Sequence, residues 1–303
     1  MLLSSGALLL FVMLNYVHDP FGLFSTSKQR VLRIVTNERP SKYLFSMRYV
    51  PENFDGILLG PSLSDHIDTS LISAARVYNL SLQGANSAEM RIMAENAMKS
   101  GKIRLILICL DPYIIRNRAI NDERMQPRLR WSALGSTFML QYYADLFFVN
   151  RLNPEKYSHF GPYGNLHIKE SSVKSELAIK KFADFLKGKD FDIPESFFKH
   201  SLVDLKEIID LARSRNVRVA AFYFPMPAEV LSVTSKQYGS FKKAASSLFD
   251  DRDLVLDFTA DAFQSFRVDY SNYVDQGHLS SKGARHIVEK LDESLIGWRS
   301  RWQ

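Results

Sequence analysis

The stretch Gly56-Ile57-Leu58-Leu59-Gly60-Pro61-Ser62 joins a short apolar run to a turn that ends in a serine. An apolar run of this length is typical of a strand in a parallel sheet that is covered on both faces. We predict that strand over residues 56–60. The Gly-Pro turn ends it and leaves the hydroxyl of Ser62 beside a helix that begins near Leu63.

Further strands and helices are predicted to alternate along the chain. The strands are Val77–Leu82, Ile103–Leu110, Val217–Phe224 and Leu254–Phe258, and the helices include Asn86–Ser100 and Leu202–Ser214. This alternation predicts an α/β fold with a doubly wound, flavodoxin-like parallel sheet of about five strands. Ligands of such sheets bind at the carboxyl ends of the strands, where Ser62, Gly84, Asp111 and Pro225 fall.

A second informative stretch, Asp275-Gln276-Gly277-His278, lies near the end of the chain. The amphipathic helix that follows has its apolar stripe at Ala284, Ile287, Val288, Leu291 and Leu295. The carboxylate of Asp275 could hold one ring nitrogen of His278 and leave the other free as a base. A serine hydroxyl needs such a base because it is a weak nucleophile. We therefore predict Ser62, His278 and Asp275 as catalytic residues; the alternatives are a helix cap, a loop histidine and a turn acid.

These blocks resemble the SGNH (GDSL-type) hydrolase superfamily. The resemblance extends over residues 50–300 in the order of the blocks: Gly60-Pro61-Ser62, then Gly84, then Asp275-x-x-His278. It implies that Ser62 is the nucleophile and that the last block completes a triad. Two phrases, residues 15–22 and 78–84, are similar to membrane-anchored members associated with bacterial exopolysaccharide and cell-wall acylation.

Acyl transfer also needs hydrogen-bond donors for the oxyanion that develops in the transition state. We predict the backbone N–H groups of Ser62 and Gly84 for this role. The resemblance implies a further side-chain amide from a Gly-x-Asn-Asp block after the third strand, but here Leu110 precedes Asp111. Asn86 is predicted to substitute for it, although Asn86 could equally cap the helix that follows.

The N-terminal residues 1–17 contain no charged side chain. As a helix they would span about 26 Å, slightly less than the ~30 Å hydrocarbon core of a membrane. We predict a membrane anchor over 1–24, a juxtamembrane arm over 25–50 and a catalytic domain over 51–303. This arrangement places the domain on the periplasmic (extracytoplasmic) side of the inner membrane. The alternative is a buried helix packed on the domain.

A long insertion, residues 112–200, separates the third and fourth strands. It is rich in aromatic residues and contains a predicted helix over Leu134–Val149. Aromatic faces pack on carbohydrate rings, so Trp131 and Tyr163 are predicted to bind substrate. The alternative is that most of these aromatic rings form a small core of the insertion itself.

Composition excludes some classes of function. The net charge is +6, but the basic residues are spread along the chain without a basic, aromatic stripe, so nucleic acid is not a predicted partner. Asp65, His66 and Asp68 have no matching ligand cluster elsewhere in the motifs, so no metal is predicted. No cofactor is predicted either, because phosphate-binding and dinucleotide-binding loops are absent from the sequence.

Together these features predict an SGNH-like acyl-ester enzyme that acts on a bacterial surface polysaccharide. The reaction is either O-acetyl transfer or ester hydrolysis. The predicted partners are an acylated glycan or acyl donor, the inner membrane, and proteins of polysaccharide assembly. Two alternatives stay open: a catalytically silent scaffold or glycan-binding subunit, and a lipid or small-ester hydrolase.

Overall fold

The computed structural model describes residues 2–24, 37–115, 123–152, 159–167, 175–189 and 195–299. Its strands are β1 (Gly56–Leu59), β2 (Val77–Asn79), β3 (Leu105–Leu110), β4 (His159–Phe160), β5 (Leu166–His167), β6 (Arg218–Tyr223) and β7 (Leu254–Asp257). Its helices are α1 (Leu2–His18), α2 (Glu38–Met47), α3 (Tyr49–Asn53), α4 (Ser62–Asp65), α5 (Ser87–Met98), α6 (Leu129–Ser132), α7 (Thr137–Leu152), α8 (Ser175–Leu186), α9 (Glu195–Ser214), α10 (Ala228–Val233), α11 (Ser235–Ser246), α12 (Gln264–Val268) and α13 (Ser281–Arg299).

Within the described residues, five strands form one sheet in the order β2-β1-β3-β6-β7, and all of its neighbours are parallel. This is the flavodoxin-like strand order, and it confirms the predicted α/β fold class. Strand β1 lies between β2 and β3, with Gly56 opposite both Val77 and Leu105. Every residue of β1, β2 and β3 is buried, because helices cover both faces of the sheet.

The sheet separates two hydrophobic cores. Ile57 and Leu59 point into one core, where α2, α3, α5 and α9 pack, and Leu58 points into the other, with α8, α10 and α13. Neighbouring residues of a strand alternate between its faces, so one continuous apolar run supplies both cores. The carboxyl ends of β1, β3 and β6 are thereby fixed at one edge of the sheet.

Helices α2 and α3 belong to the first core, although most of their residues fall within the predicted juxtamembrane arm. Leu44, Phe45 and Val50 are each at most 1% exposed. Helix α2 packs against α3 and α5. The predicted boundary at residue 51 therefore runs through α3, and the packed part of the chain begins before it.

Helix α1 packs on α7 of the insertion along one side only. The ring of Phe11 lies edge-on to that of Tyr143, and Asn15 is fully buried. The side chain of Asn15 donates to the carbonyl of Leu134 and accepts from the Tyr143 hydroxyl. The apolar side chains on the rest of α1 are exposed, including Leu8, Leu9, Leu10, Met13, Leu14 and Val17.

Among the helices described, none combines the length and the apolar character that a membrane crossing requires.

The insertion contributes α6, α7, the antiparallel pair β4–β5 and α8. Its predicted helix over 134–149 is α7, shifted by three residues at each end. Some of its aromatic side chains, such as Tyr142 and Phe160, are buried in the first core. Others, such as Phe147 and Phe148, are more than half exposed. The parts of 112–200 at residues 116–122, 153–158, 168–174 and 190–194 lie outside the described residues.

Candidate active site

Ser62 is the first residue of α4 and follows the turn that ends β1. Gly60 makes this turn possible because an added Cβ would lie 2.2 Å from Ser64 Oγ and 2.7 Å from the Cβ of Cys109. The turn at residues 60–62 can therefore pack directly on β3. Ser64, two residues after Ser62, is fully buried, and its hydroxyl bonds to the Pro61 carbonyl and the Ser81 hydroxyl.

The loop before α13 places His278 against Ser62. Asp275 Oδ1 accepts the backbone N–H groups of Gly277 and His278 at 2.9 and 2.8 Å. Asp275 Oδ2 lies 2.7 Å from His278 Nδ1, and His278 Nε2 lies 3.1 Å from Ser62 Oγ. The three residues singled out in the sequence are thus brought together in one chain of hydrogen bonds, and their catalytic role stays a prediction at this point.

The charge of Asp275 determines which group donates in each of these hydrogen bonds. Burial alone would raise the pKa of Asp275, but the hydrogen bond and charge of His278 and two backbone N–H groups hold it below its usual value. Asp275 is therefore ionised at neutral pH, and the ring proton of neutral His278 lies on Nδ1, facing the carboxylate. Nε2 then presents a lone pair to the hydroxyl of Ser62, which is the arrangement that a general base needs.

The two predicted oxyanion donors lie at the start of α4 and in the loop after β2. The first N–H groups of a helix have no carbonyl partner one turn earlier, and the N–H of Ser62 is the first of α4. The N–H of Leu82 donates to the carbonyl of Gly60. This hydrogen bond holds the loop with Gly84 alongside the turn at residues 60–62. Gly84 has a φ of +62°, a backbone conformation that favours glycine. The roles of both N–H groups stay predictions.

Two other polar residues at this edge have structural partners. Asn86 caps α5: its side-chain oxygen accepts the N–H of Glu89, and the Glu89 carboxylate accepts the N–H of Asn86. Asn86 thus has the capping role that the sequence left open, and its oxyanion role stays a prediction. Asp111, at the end of β3, accepts the Tyr113 N–H and the Tyr238 hydroxyl.

A buried ionic cluster beneath Ser62 was missed in the sequence. Lys42 and Asp65 are both fully buried, and Lys42 Nζ lies 2.8 Å from Asp65 Oδ1 and 2.5 Å from the Ser81 carbonyl. Glu38, one turn earlier on α2, lies 3.3 Å from the same Nζ and accepts the Gln83 N–H. Helix α2 therefore contacts both α4, through Asp65, and the loop that carries Gly84, through Ser81 and Gln83. The only signal in the sequence is the i, i+4 pair Glu38 and Lys42 on an otherwise well-packed helix.

The two carboxyl groups of this cluster both have raised pKa values. Burial, and then the charge of Asp65, raises the pKa of Glu38 to about 7. Burial also raises the pKa of Asp65, against the opposing effect of Lys42. Glu38 Oε1 and Asp65 Oδ2 are buried and have no hydrogen-bond partner among the described residues. A proton on Glu38 that faces Asp65 satisfies both oxygens and leaves one negative charge opposite Lys42.

His66 is the second imidazole of the site. Its ring lies edge-to-face with that of His278 at 5.2 Å between centroids, and its Nδ1 lies 3.2 Å from the Leu166 carbonyl. Burial, and then the positive charge that His278 can take up, lowers the pKa of His66 to about 4. His66 is therefore neutral at pH 7, with Nδ1–H donating to Leu166 and Nε2 left as an acceptor.

The two aromatic residues predicted to bind substrate lie in different surroundings. Trp131, on α6, is 64% exposed and packs against the guanidinium of Arg130. Tyr163 lies edge-on to Phe54, and its carbonyl accepts the N–H of Asn79. None of these described contacts involves Ser62, His278 or Asp275, so substrate binding by the two rings stays a prediction. In the described part of the chain, no group of three or more His, Cys, Asp or Glu side chains could hold a metal ion.

Comparisons with known proteins find similarity in structure only. No family model matches the sequence, and no curated protein matches it. The chain is similar to a GDSL-like lipase from Bacteroides thetaiotaomicron VPI-5482, with 5% identity, coverage of 80% of this chain and 87% of the other, and a TM-score of 0.41.

Two further solved structures are similar at a comparable level. One is a protein from Streptococcus pneumonia described as a platelet activating factor, with 11% identity, coverage of 85% and 91%, and a TM-score of 0.47. The other is a protein from Bacteroides fragilis NCTC 9343 described as an acylhydrolase, with 8% identity, coverage of 80% and 86%, and a TM-score of 0.38. Similarity at this level says nothing of what this chain acts on.

Proposed function

We propose that this chain is a serine esterase of the SGNH type that cleaves an acyl ester through Ser62, His278 and Asp275. The observation that supports it most is the continuous chain of hydrogen bonds from the Ser62 hydroxyl through His278 to the carboxylate of Asp275. A serine that only capped a helix would not need a histidine on Oγ, and a loop histidine would not need an ionised partner on its far nitrogen.

In the proposed mechanism, Ser62 Oγ attacks the carbonyl carbon of the ester while His278 Nε2 takes the hydroxyl proton. Asp275 keeps the imidazole in the correct tautomer and stabilises its positive charge. The oxyanion would accept the N–H groups at the start of α4 and in the loop held by Gly60. His278 then returns the proton to the departing alcohol oxygen, the C–O bond breaks, and the acyl group remains on Ser62.

The acyl-enzyme can react with water or with an acceptor hydroxyl, and His278 deprotonates either one. Ester hydrolysis and O-acetyl transfer therefore share their first half, and the acceptor decides between them. We place the substrate among O-acylated bacterial surface polysaccharides. The support for this finer proposal is the resemblance of the sequence blocks to membrane-anchored acylation proteins, together with the exposed apolar side of α1.

The test of the proposed function is covalent labelling of the full chain with a fluorophosphonate, followed by peptide mass spectrometry. We expect one adduct on Ser62, which Ser62→Ala abolishes. Ser70 is exposed and lies close to Ser62 in the sequence, in the turn 69–71. Ser70→Ala is therefore the matched control and should label like the wild type. A folded wild-type chain that takes no label would favour the silent scaffold instead.

The cellular location needs a separate test because the triad does not depend on it. We propose an N-terminal anchor in the inner membrane with the remaining chain on the extracytoplasmic side. A phosphatase reporter fused after Gln303 should then be active, since this reporter works only outside the cytoplasm. A fusion protein that is made in full but has no phosphatase activity would refute both the extracytoplasmic location and the surface polysaccharide as substrate.

A further inference from the structure

A cavity of about 220 Å³ opens next to His66. It lies where the turn 69–71, the β4–β5 pair and the start of α13 meet. Its polar lining consists of His66, Asp68, Asn165, Ser280, Ser281 and Arg285. The remaining lining is apolar, including Leu71 and Val274. The volume suits one ring-sized group, since pockets for larger ligands begin at about 300 Å³.

Two polar groups of this lining have no partner in the described part of the chain. Asn165 is only 3% exposed, yet no hydrogen bond of its side-chain amide to a described residue is found. Arg285 lines the same cavity from an exposed position on α13 and forms no ion pair with a described residue. Both groups are open to the cavity, so a ligand there could bond to them in place of solvent.

The kinds of hydrogen-bonding group in the lining define the ligand. Arg285 only donates, and the side chain of Asp68, which accepts the Ser70 N–H with one oxygen, offers carboxyl oxygens as acceptors. Asn165 and the hydroxyl of Ser281 can do both, and neutral His66 presents Nε2 as an acceptor. A ligand that satisfies all of them must donate and accept at neighbouring atoms, as the hydroxyl groups of a sugar ring do. A fatty chain would satisfy none, and a simple anion would face Asp68.

The cavity is also close to the reacting atoms. His66 lines the cavity, and its ring centroid lies 5.2 Å from that of His278, whose Nε2 is 3.1 Å from Ser62 Oγ. His278 must return its proton to the alcohol that leaves, so the alcohol part of an ester has to lie on the histidine side of Ser62. On the basis of the proposed esterase activity, we propose that this cavity binds the sugar ring whose hydroxyl carries the acyl group.

The kinetic test compares an O-acetylated sugar with p-nitrophenyl acetate, which has no sugar ring. For Arg285→Gln, the ratio of kcat/KM for 6-O-acetylglucose to that for p-nitrophenyl acetate should fall at least about tenfold, mainly through KM. Asn165→Leu should act in the same direction. Lys290→Gln, on the exposed side of the same helix, is the matched control and should leave both substrates unchanged. An equal loss on both substrates, or no loss on either, would overturn the proposal.

A binding test does not depend on turnover. Saturation-transfer NMR with Ser62→Ala protein should show contact with 6-O-acetylglucose or 6-O-acetyl-N-acetylglucosamine, and adding Arg285→Gln should weaken it at least about tenfold. Binding of neither sugar would overturn the proposal for the cavity. If the sugars bind but the wild type takes no fluorophosphonate label, the cavity stands and the proposed esterase activity fails.

Discussion

At the scale of single residues, the hydrogen bonds of His278 lead to the sharpest expectation. Ser62→Ala and His278→Ala should each lower kcat for p-nitrophenyl acetate by at least about 10³-fold, because each removes a group that acts in the transition state. Asp275→Asn should cost as much or less, since Asp275 orients the ring and takes no proton. Circular dichroism should show all three variants folded. A kcat equal to that of the wild type in either Ser62→Ala or His278→Ala would refute the mechanism.

The raised pKa of Glu38 leads to an expectation about pH. The pKa of Glu38 in the folded chain, about 7, lies above its ordinary value of 4.5. The folded state therefore keeps a proton that the unfolded chain has released, and stability falls as pH rises from about 4.5 to about 7. The loss reaches about 3 kcal/mol above pH 7.

The measurement is urea unfolding of the wild type and of Glu38→Gln at pH 5 and pH 8. The wild type should lose about 2.5 kcal/mol relative to Glu38→Gln between these two values, because part of the loss already occurs below pH 5. Glu95→Gln, at a partly exposed site on α5, is the matched control and should keep the dependence of the wild type. A parallel pH dependence in wild type and Glu38→Gln would show that Glu38 does not hold the proton.

The sequence predicted the site residues that lie close together in the chain or at the end of a strand. It did not predict the site residues that meet only through the packing of distant elements. Asp275 and His278 share one loop, and Ser62 ends an apolar run, so their meeting followed from the strand order. Lys42 and Asp65 are 23 positions apart on elements that pack only in three dimensions. A lysine in a sequence normally indicates a solvated surface, and only the fold shows that this one is fully buried.

At the scale of elements, Lys42 links α2 to α4 and to the loop after β2. Lys42→Met should leave a buried negative charge without its cation and destabilise the fold by about 3–5 kcal/mol. Asp65→Asn in the same chain should recover part of this loss, because it removes the uncompensated charge. Urea unfolding of the two single variants and the double variant measures the coupling. Strictly additive losses would mean that the two side chains do not interact.

The elements also show which patterns predict structure and which mislead. The central strands were predicted well because a strand covered on both faces must be apolar throughout. The second strand was predicted too long: its regular pairing ends at Asn79, whose buried side chain donates to the carbonyls of Ser64 and Ile67 and accepts the Ser81 N–H. Helix α2 was missed because the charges of residues 38–42 hide its packing, and nothing in the sequence says that α5 covers it.

At the scale of the whole molecule, the N-terminal segment has two parts with different surroundings. Leu8, Leu9 and Leu10 are each about 60% exposed, whereas Phe21 and Leu23 are 1% exposed in the first core. Removal of residues 1–10 should leave the unfolding midpoint unchanged. Removal of residues 1–24, in contrast, takes away core side chains and should expose apolar surface that aggregates.

Size-exclusion chromatography and thermal unfolding of the two truncated chains measure this difference. Phe21→Ala and Leu9→Ala form a matched pair of point variants for it. We expect a loss of about 3–5 kcal/mol for Phe21→Ala and less than about 0.5 kcal/mol for Leu9→Ala. A monomeric, fully stable chain without residues 1–24 would show that Phe21 and Leu23 do not contribute to the core.

The distance along the chain between Ser62 and His278, 216 residues, has a consequence for synthesis. A ribosome adds about 5–20 residues per second, so the nucleophile leaves it tens of seconds before its base. During that interval Ser62 has no partner to take its proton. The esterase we propose is therefore inactive while it is being made, and it switches on only when the last helix docks. Each chain that loses its final 30 residues should keep its serine and still be inert.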